Sequence, residues 1–231
     1  MPTAVIVAHG QPSEPDPAEA SLARLATQID QLTDRVTVRS ATLAAPGALE
    51  KVLDDIPDGS AIYPLFMAKG WFVTSALPKR LEGRAVRQLD PLGVDPQLPN
   101  LVARALRPLI DEQGWSTTST DLLIAAHGSG RSRNPAAVTH EFADRLAGLI
   151  SLKSIRCGFV EEAPSISDAA KMTGDHAICL PFFACTGGHV LDDIPAELGK
   201  AAFRGPVLPV VGELDEIQSH IARTLDGAFA D

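Results

Sequence analysis

The chain states nearly the same passage twice, about 118 residues apart, and a duplication of that length constrains the fold more than any other feature of the sequence. Pro64-Leu-Phe-Met-Ala-Lys-Gly-Trp-Phe-Val-Thr-Ser-Ala-Leu-Pro78 aligns with Pro181-Phe-Phe-Ala-Cys-Thr-Gly-Gly-His-Val-Leu-Asp-Asp-Ile-Pro195. Upstream, Ala-Val-Ile-Val-Ala-His9-Gly aligns with Leu-Leu-Ile-Ala-Ala-His127-Gly, and Ala45-Pro46 with Ala163-Pro164. Two similar domains are therefore expected, over residues 1–115 and 120–231, facing each other across a cleft and joined by the polar stretch 114–120. The 231 residues suit two domains of common size.

Within each half, short apolar runs alternate with segments of helical periodicity. Thr3–Ala8 and Asp121–Ala126 are apolar enough to be parallel strands covered on both faces, and each ends in His-Gly. Helical spacing follows at Leu22, Leu25, Ile29 and Leu32, and at Val138, Phe142, Leu146 and Leu149. The pattern predicts second strands over 36–43 and 154–161, third strands over 61–66 and 177–183, and short fourth strands ending near Pro91-Leu92 and Pro209-Val-Val211. The fold class is α/β, a small parallel sheet flanked by helices in each domain. Ligands of such sheets bind at the carboxyl ends of the strands, which places His9, His127, Glu161 and the loop carrying His189 at the functional edge.

Only the second half has a full set of reactive groups there. His127 follows its first strand, Glu161 or Glu162 ends its second, and His189 lies in the loop after its third. Two imidazoles and a carboxylate suit a first-row divalent metal and also accept protons near neutrality. The first half keeps His9 but has Leu43-Ala44 in place of the acid and Phe72 in place of the second His. Trp71 and Phe72 then offer an apolar surface to a flat ligand. Asp192 and Asp193 are expected to cap the helix that begins near Pro195, with Asp193 as a partner of His189 the lesser alternative. His140, His176 and His220 are expected on the surface.

The net charge of −9 argues against nucleic-acid and anionic-membrane partners. No apolar run approaches the roughly 20 residues of a membrane helix, and no basic segment precedes the first strand as in a signal peptide. Three cysteines without a Cys-x-x-Cys spacing fit free thiols, and a cytoplasmic location is expected.

The second half resembles the sirohydrochlorin chelatases of the CbiX type in three places. They are Ala-His127-Gly-Ser-Gly with Asn134 following, Gly-Phe-Val-Glu161-Glu-Ala-Pro-Ser-Ile166, and Pro-Phe-Phe-Ala-Cys-Thr-Gly-Gly-His189-Val-Leu-Asp-Asp-Ile-Pro195. The repeat extends the resemblance over nearly the whole chain, as in the long two-domain members. It implies a chelatase-like fold and ATP-independent insertion of Co²⁺ or Fe²⁺ into sirohydrochlorin, in cobalamin or siroheme biosynthesis. The metal is then a substrate, no nucleotide is used, and the ligand set also admits Ni²⁺. By resemblance His127, Glu161 and His189 bind the metal and accept protons. The spacing Glu161-Glu-Ala-Pro164 is one residue shorter than the usual pattern, which leaves Glu162 as the alternative acid. Strand alternation points the two in opposite directions. The complete set also lies in the second half here, whereas many long members carry it in the first.

The tetrapyrrole is a polycarboxylate, so an acidic protein must hold it with local cations. Arg131 and Arg133 are the nearest candidates, followed by Lys69, Lys79 and Arg80. His9, Ser129, Trp71 and Phe72 complete the expected tetrapyrrole contacts. Either a monomer or a homo-oligomer accommodates this reading. Its rivals are a non-catalytic tetrapyrrole or metal carrier on the same fold, a zinc hydrolase, and a His-Gly phosphatase. The last is disfavoured by Ala8 and Ala126, which stand where such enzymes place the phosphate-holding Arg.

Overall fold

A computed structural model describes residues 1–129 and 134–230. Its strands and helices alternate along the chain, as the apolar runs require. The first half comprises β1 (Thr3–Ala8), α1 (Pro15–Asp30), β2 (Thr37–Thr42), α2 (Ala48–Asp54), β3 (Ala61–Pro64), α3 (Leu77–Leu81), β4 (Arg87–Gln88) and α4 (Leu98–Glu112). The second comprises β5 (Asp121–Ala126), α5 (Asn134–Ala147), β6 (Ser154–Phe159), α6 (Ile166–Lys171), β7 (Ala177–Pro181), α7 (Ile194–Lys200) and α8 (Asp215–Gly227).

One parallel sheet has the order β2-β1-β3-β4 and the other β6-β5-β7. The central strands β1 and β5 are buried along their whole length, and this is why they read as uninterrupted apolar runs. The fourth strands are short and stop a few residues ahead of Pro91 and Pro209. Arg87–Gln88 pairs with β3, and in the second sheet, among the described residues, an isolated bridge joins Val207 to Cys179. Proline lacks the N–H a ladder needs, so the pairing ends before each proline.

The equivalence of the halves extends to their cores. Val5, Val7, Ala41, Leu49, Leu53, Ile62 and Leu77 form one buried cluster, and Leu123, Ala125, Ile166, Ala169, Cys179, Ile194 and Leu198 form the other. Burial of each Val, Leu or Ile side chain among them contributes about 1.5–3 kcal/mol.

Two compact units emerge, and each is assembled from separate stretches of chain. The first contains Met1–Asp95, Ala184–Gly187 and the chain from Ile217 onward; the second contains Pro96–Phe183 and Gly188–Glu216. The helix ending each sequence repeat thus belongs to the other unit. Within the first unit, Asp226 of α8 accepts hydrogen bonds from the Asp34 and Arg35 N–H groups at 3.0 and 3.1 Å. His220 of α8 pairs with Asp95 at 2.7 Å. His220 is therefore largely shielded from solvent, contrary to its expected place on the surface. Within the second unit, Arg107 of α4 donates to the Leu149 carbonyl and Arg145 of α5 to the Pro96 carbonyl. His140 and His176 are exposed as expected, the latter stacked on Trp115 at 4.7 Å.

At the end of β5 remote from His127, Asp121 is nearly inaccessible. It accepts from Ser154 Oγ at 2.7 Å, Gly174 N at 2.8 Å and Lys153 Nζ at 2.9 Å. Burial pushes its carboxyl up, but these donors outweigh that effect and hold it below its ordinary value.

Candidate active site

The site begins with His127, carried by the last turn of chain leaving β5. The next residue, Gly128, has φ +67°, and a Cβ there would lie 2.7 Å from the Glu162 carboxylate. Glycine is required both by the left-handed backbone and by this close approach. The turn brings the Gly128 carbonyl within 2.9 Å of His127 Nδ1. After β6 the chain continues alongside, with the Glu161 N–H donating to the His127 carbonyl at 3.0 Å. After β7 it enters a π-helical turn, His189–Asp193, in which the N–H of Ile194 reaches back to the His189 carbonyl. Such turns are frequent at functional sites.

These three connections bring His127, Glu161 and His189 together. One ligand atom from each lies within 4.8 Å of the others. An equilateral triangle with that edge puts each donor about 2.8 Å from its centre, so a shift of about 0.6–0.8 Å by each reaches metal–ligand lengths of about 2.0–2.2 Å. The two imidazoles meet edge to face with centroids 4.5 Å apart, and His127 Nδ1 is 4.0 Å from Glu161 Oε2. Their side chains are 44%, 49% and 43% exposed, half open to an incoming ligand.

The two adjacent acids divide, although both lie in bends beyond the end of β6 at Phe159, where strand alternation no longer applies. Glu161 belongs to the cluster, whereas Glu162 turns away and accepts the Ser129 N–H at 2.8 Å, tying down the loop after His127. The expected capping role of Asp193 is not what the structure shows. Its carboxylate makes no cap bond to α7 and instead lies 2.7 Å from His189 Nδ1. The i,i+4 spacing of the two residues was the available signal. Arg131 and Arg133 lie outside the described residues.

The first half repeats this architecture without its chemistry. His9 Nδ1 is 2.8 Å from the Gly10 carbonyl, and the Ala44 N–H donates to the His9 carbonyl at 2.9 Å, so Ala44 occupies the place of Glu161. A π-helical turn runs Phe72–Ala76, with Phe72 where the second half has His189 and Ala76 where it has Asp193. The Phe72 ring meets His9 edge to face at 4.3 Å, matching the His127–His189 pair, and also packs against Phe66 and Trp71. Trp71 is 66% exposed. Two of the half's candidate cations are engaged locally, Lys69 with Asp90 at 2.7 Å and Arg80 with Glu50 at 3.7 Å.

Comparisons with known proteins agree with this architecture. The CbiX family model matches residues 3–109 and 121–228, both halves of the chain. Among solved structures, a protein described as CbiX, the terminal enzyme for biosynthesis of siroheme in denitrifying bacteria, is 45% identical. That match covers 99% of this chain and 100% of the other, with a TM-score of 0.86. SirB from Bacillus subtilis with Fe³⁺ is 13% identical over 100% of this chain and 96% of its own, with a TM-score of 0.74. A sirohydrochlorin chelatase SirB from Bacillus subtilis subspecies spizizenii, in complex with cobalt, is 13% identical over 99% of this chain and 95% of its own, with a TM-score of 0.69. At that identity the likeness to both SirB structures is one of fold. No curated protein matches. With the family model matching both repeats and a 45% identical relative matching end to end, the chain belongs to the CbiX family.

Proposed function

We propose that this chain is a chelatase that inserts a divalent metal, Co²⁺ or Fe²⁺, into sirohydrochlorin, using the second half as its reaction site. One observation carries the reading: His127, Glu161 and His189 converge at the carboxyl edge of one sheet, while the same positions of the other sheet hold His9, Ala44 and Phe72. Membership of the CbiX family supports the choice of reaction, as does the part in siroheme biosynthesis ascribed to the 45% identical relative.

Insertion exchanges two pyrrole N–H protons for one M²⁺, so charge is conserved at the macrocycle. The protein must surrender a dication and collect two protons at the same place. Half-exposed imidazole and carboxylate groups suit both tasks, since each can release a metal without a large desolvation barrier and each can serve as a proton acceptor. A fully buried thiolate cage would hold the metal too firmly for this purpose. In this reading His9, Trp71, Phe72 and Ser129 contact the macrocycle, Arg131 and Arg133 meet its carboxylates, and no nucleotide takes part. No helix is long and apolar enough to cross a membrane among the described residues.

The test is the visible spectrum of sirohydrochlorin with Co²⁺ under anaerobic conditions, with and without catalytic amounts of the protein. Accelerated conversion over many turnovers is expected. A spectral shift that stops at one equivalent of protein overturns the enzymatic reading in favour of a carrier.

A further inference from the structure

We propose that Asp193 is a positioning residue that fixes the tautomer and orientation of His189, leaving Nε2 as the ring nitrogen that takes the metal. The inference rests on the metal-binding reading of His127, Glu161 and His189 and assigns a part to a fourth residue outside that set. An ionised carboxylate can only accept, so at 2.7 Å the proton between Asp193 Oδ2 and His189 belongs to Nδ1. The lone pair is then confined to Nε2. His127 reaches the same tautomer through a neutral acceptor, the Gly128 carbonyl at 2.9 Å. The backbone sets that acceptor, whereas His189 depends on a side chain that substitution can remove.

A purely structural role for Asp193 is answered by the other half of the molecule. The first half builds the same π-helical turn, leading into α3, with Ala76 at the equivalent position. The turn therefore forms without a carboxylate. Asp193 also gives no cap bond to α7, and its side chain is 47% exposed. The carboxylate is found where there is an imidazole to orient and is missing where Phe72 stands instead. Carboxylate partners of metal-binding histidines raise ligand basicity and restrict ring rotation, and their loss typically weakens metal binding about 10–100-fold.

The experiment uses the full chain and Co²⁺ alone, without tetrapyrrole. Co²⁺ affinity is measured for wild type, Asp193→Ala, Asp193→Asn, the neighbouring-charge control Asp192→Asn, and His127→Ala and His189→Ala. In parallel, ring ¹⁵N resonances of the metal-free proteins are recorded at an alkaline pH where imidazoles are neutral. The expected result is Co²⁺ binding weakened about 10–100-fold in both Asp193 variants, with little change in Asp192→Asn. The His189 ring should pass from a single Nδ1–H form in wild type to a mixture, while His127 keeps its tautomer. Unchanged affinity and an unchanged His189 tautomer in the Asp193 variants, or an equal loss in Asp192→Asn, overturns the proposal. If His127→Ala and His189→Ala themselves bind Co²⁺ like wild type, the metal-binding reading of the cluster fails first, and the role of Asp193 falls with it.

Discussion

Glu161 and Glu162 are neighbours of the same charge with sharply different surroundings. Glu161 presents its carboxylate to a triangle of donors with edges of at most 4.8 Å, while Glu162 spends its carboxylate on the Ser129 N–H at 2.8 Å. A dication at the centre of that triangle lies about 2.8 Å from the Glu161 oxygen. Even with the dielectric constant of water, suitable for side chains half open to solvent, the attraction is about 3 kcal/mol. Glu161→Gln preserves shape and removes this charge. It should weaken Co²⁺ binding about 100-fold, since each 1.4 kcal/mol is a factor of about ten. Glu162→Gln keeps an oxygen that can accept from Ser129 and leaves the cluster's charge intact, so its effect should stay below about threefold. Calorimetric titration, or competition with a chromophoric chelator, measures both constants under one set of conditions. Equal losses in the two variants, or affinity within threefold of wild type in Glu161→Gln, would refute the division drawn between them.

Further outcomes follow from other parts of the molecule. Asp121 has a depressed carboxyl, so its stabilisation is complete above the unfolded value of about 3.9 and is lost as pH falls through its lower folded value. Asp121→Asn should destabilise the second unit by about 1–3 kcal/mol at pH 7. Urea unfolding followed by Trp115 fluorescence in a Trp71→Phe background should show that gap closing below about pH 4; a gap constant from pH 7 to 3 contradicts the assignment. Installing Ala44→Glu, Phe72→His and Ala76→Asp together should raise Co²⁺ stoichiometry from one to two equivalents. A stoichiometry that stays at one would mean that the matching ring geometry of the two halves does not suffice for a site. Burial pushes the Cys179 thiol up to about 12, and burial with nearby Asp144 pushes Cys157 up to about 11. Both should alkylate at pH 8 at least about 30-fold more slowly than a free thiol with the usual value near 8.5, and lose that protection in urea.

Much of this architecture is legible in the sequence because the duplication supplies its own alignment. The buried strands β1 and β5 announce themselves as apolar runs, and the position of Phe72 against His189 marks which half has lost its chemistry. The exchange of α4 and α8 between units was not legible, because an amphipathic helix declares that it has an apolar face but not which sheet that face covers. Two limits at the site have the same origin. Asp193 precedes a helix beginning with proline and carries the composition of a cap. Its i,i+4 spacing from His189 admits the other role, and the π-helical turn His189–Asp193 realises it. The choice between Glu161 and Glu162 turned on one residue of register after β6, which alternation can pose but which only the hydrogen bonds of Glu161 N and Ser129 N resolve. His220 was misplaced for a related reason. Its partner Asp95 lies 125 residues away, beyond the reach of local pattern.

Metal insertion is assigned to the histidines of the second half. The most direct measurement is the initial rate of Co²⁺ insertion into sirohydrochlorin by wild type and by the double variant His127→Ala/His189→Ala, with the variant's fold verified by circular dichroism. Wild type should turn over many equivalents while the folded double variant falls to the uncatalysed rate. A double variant that inserts metal at the wild-type rate would place the chemistry elsewhere in the molecule.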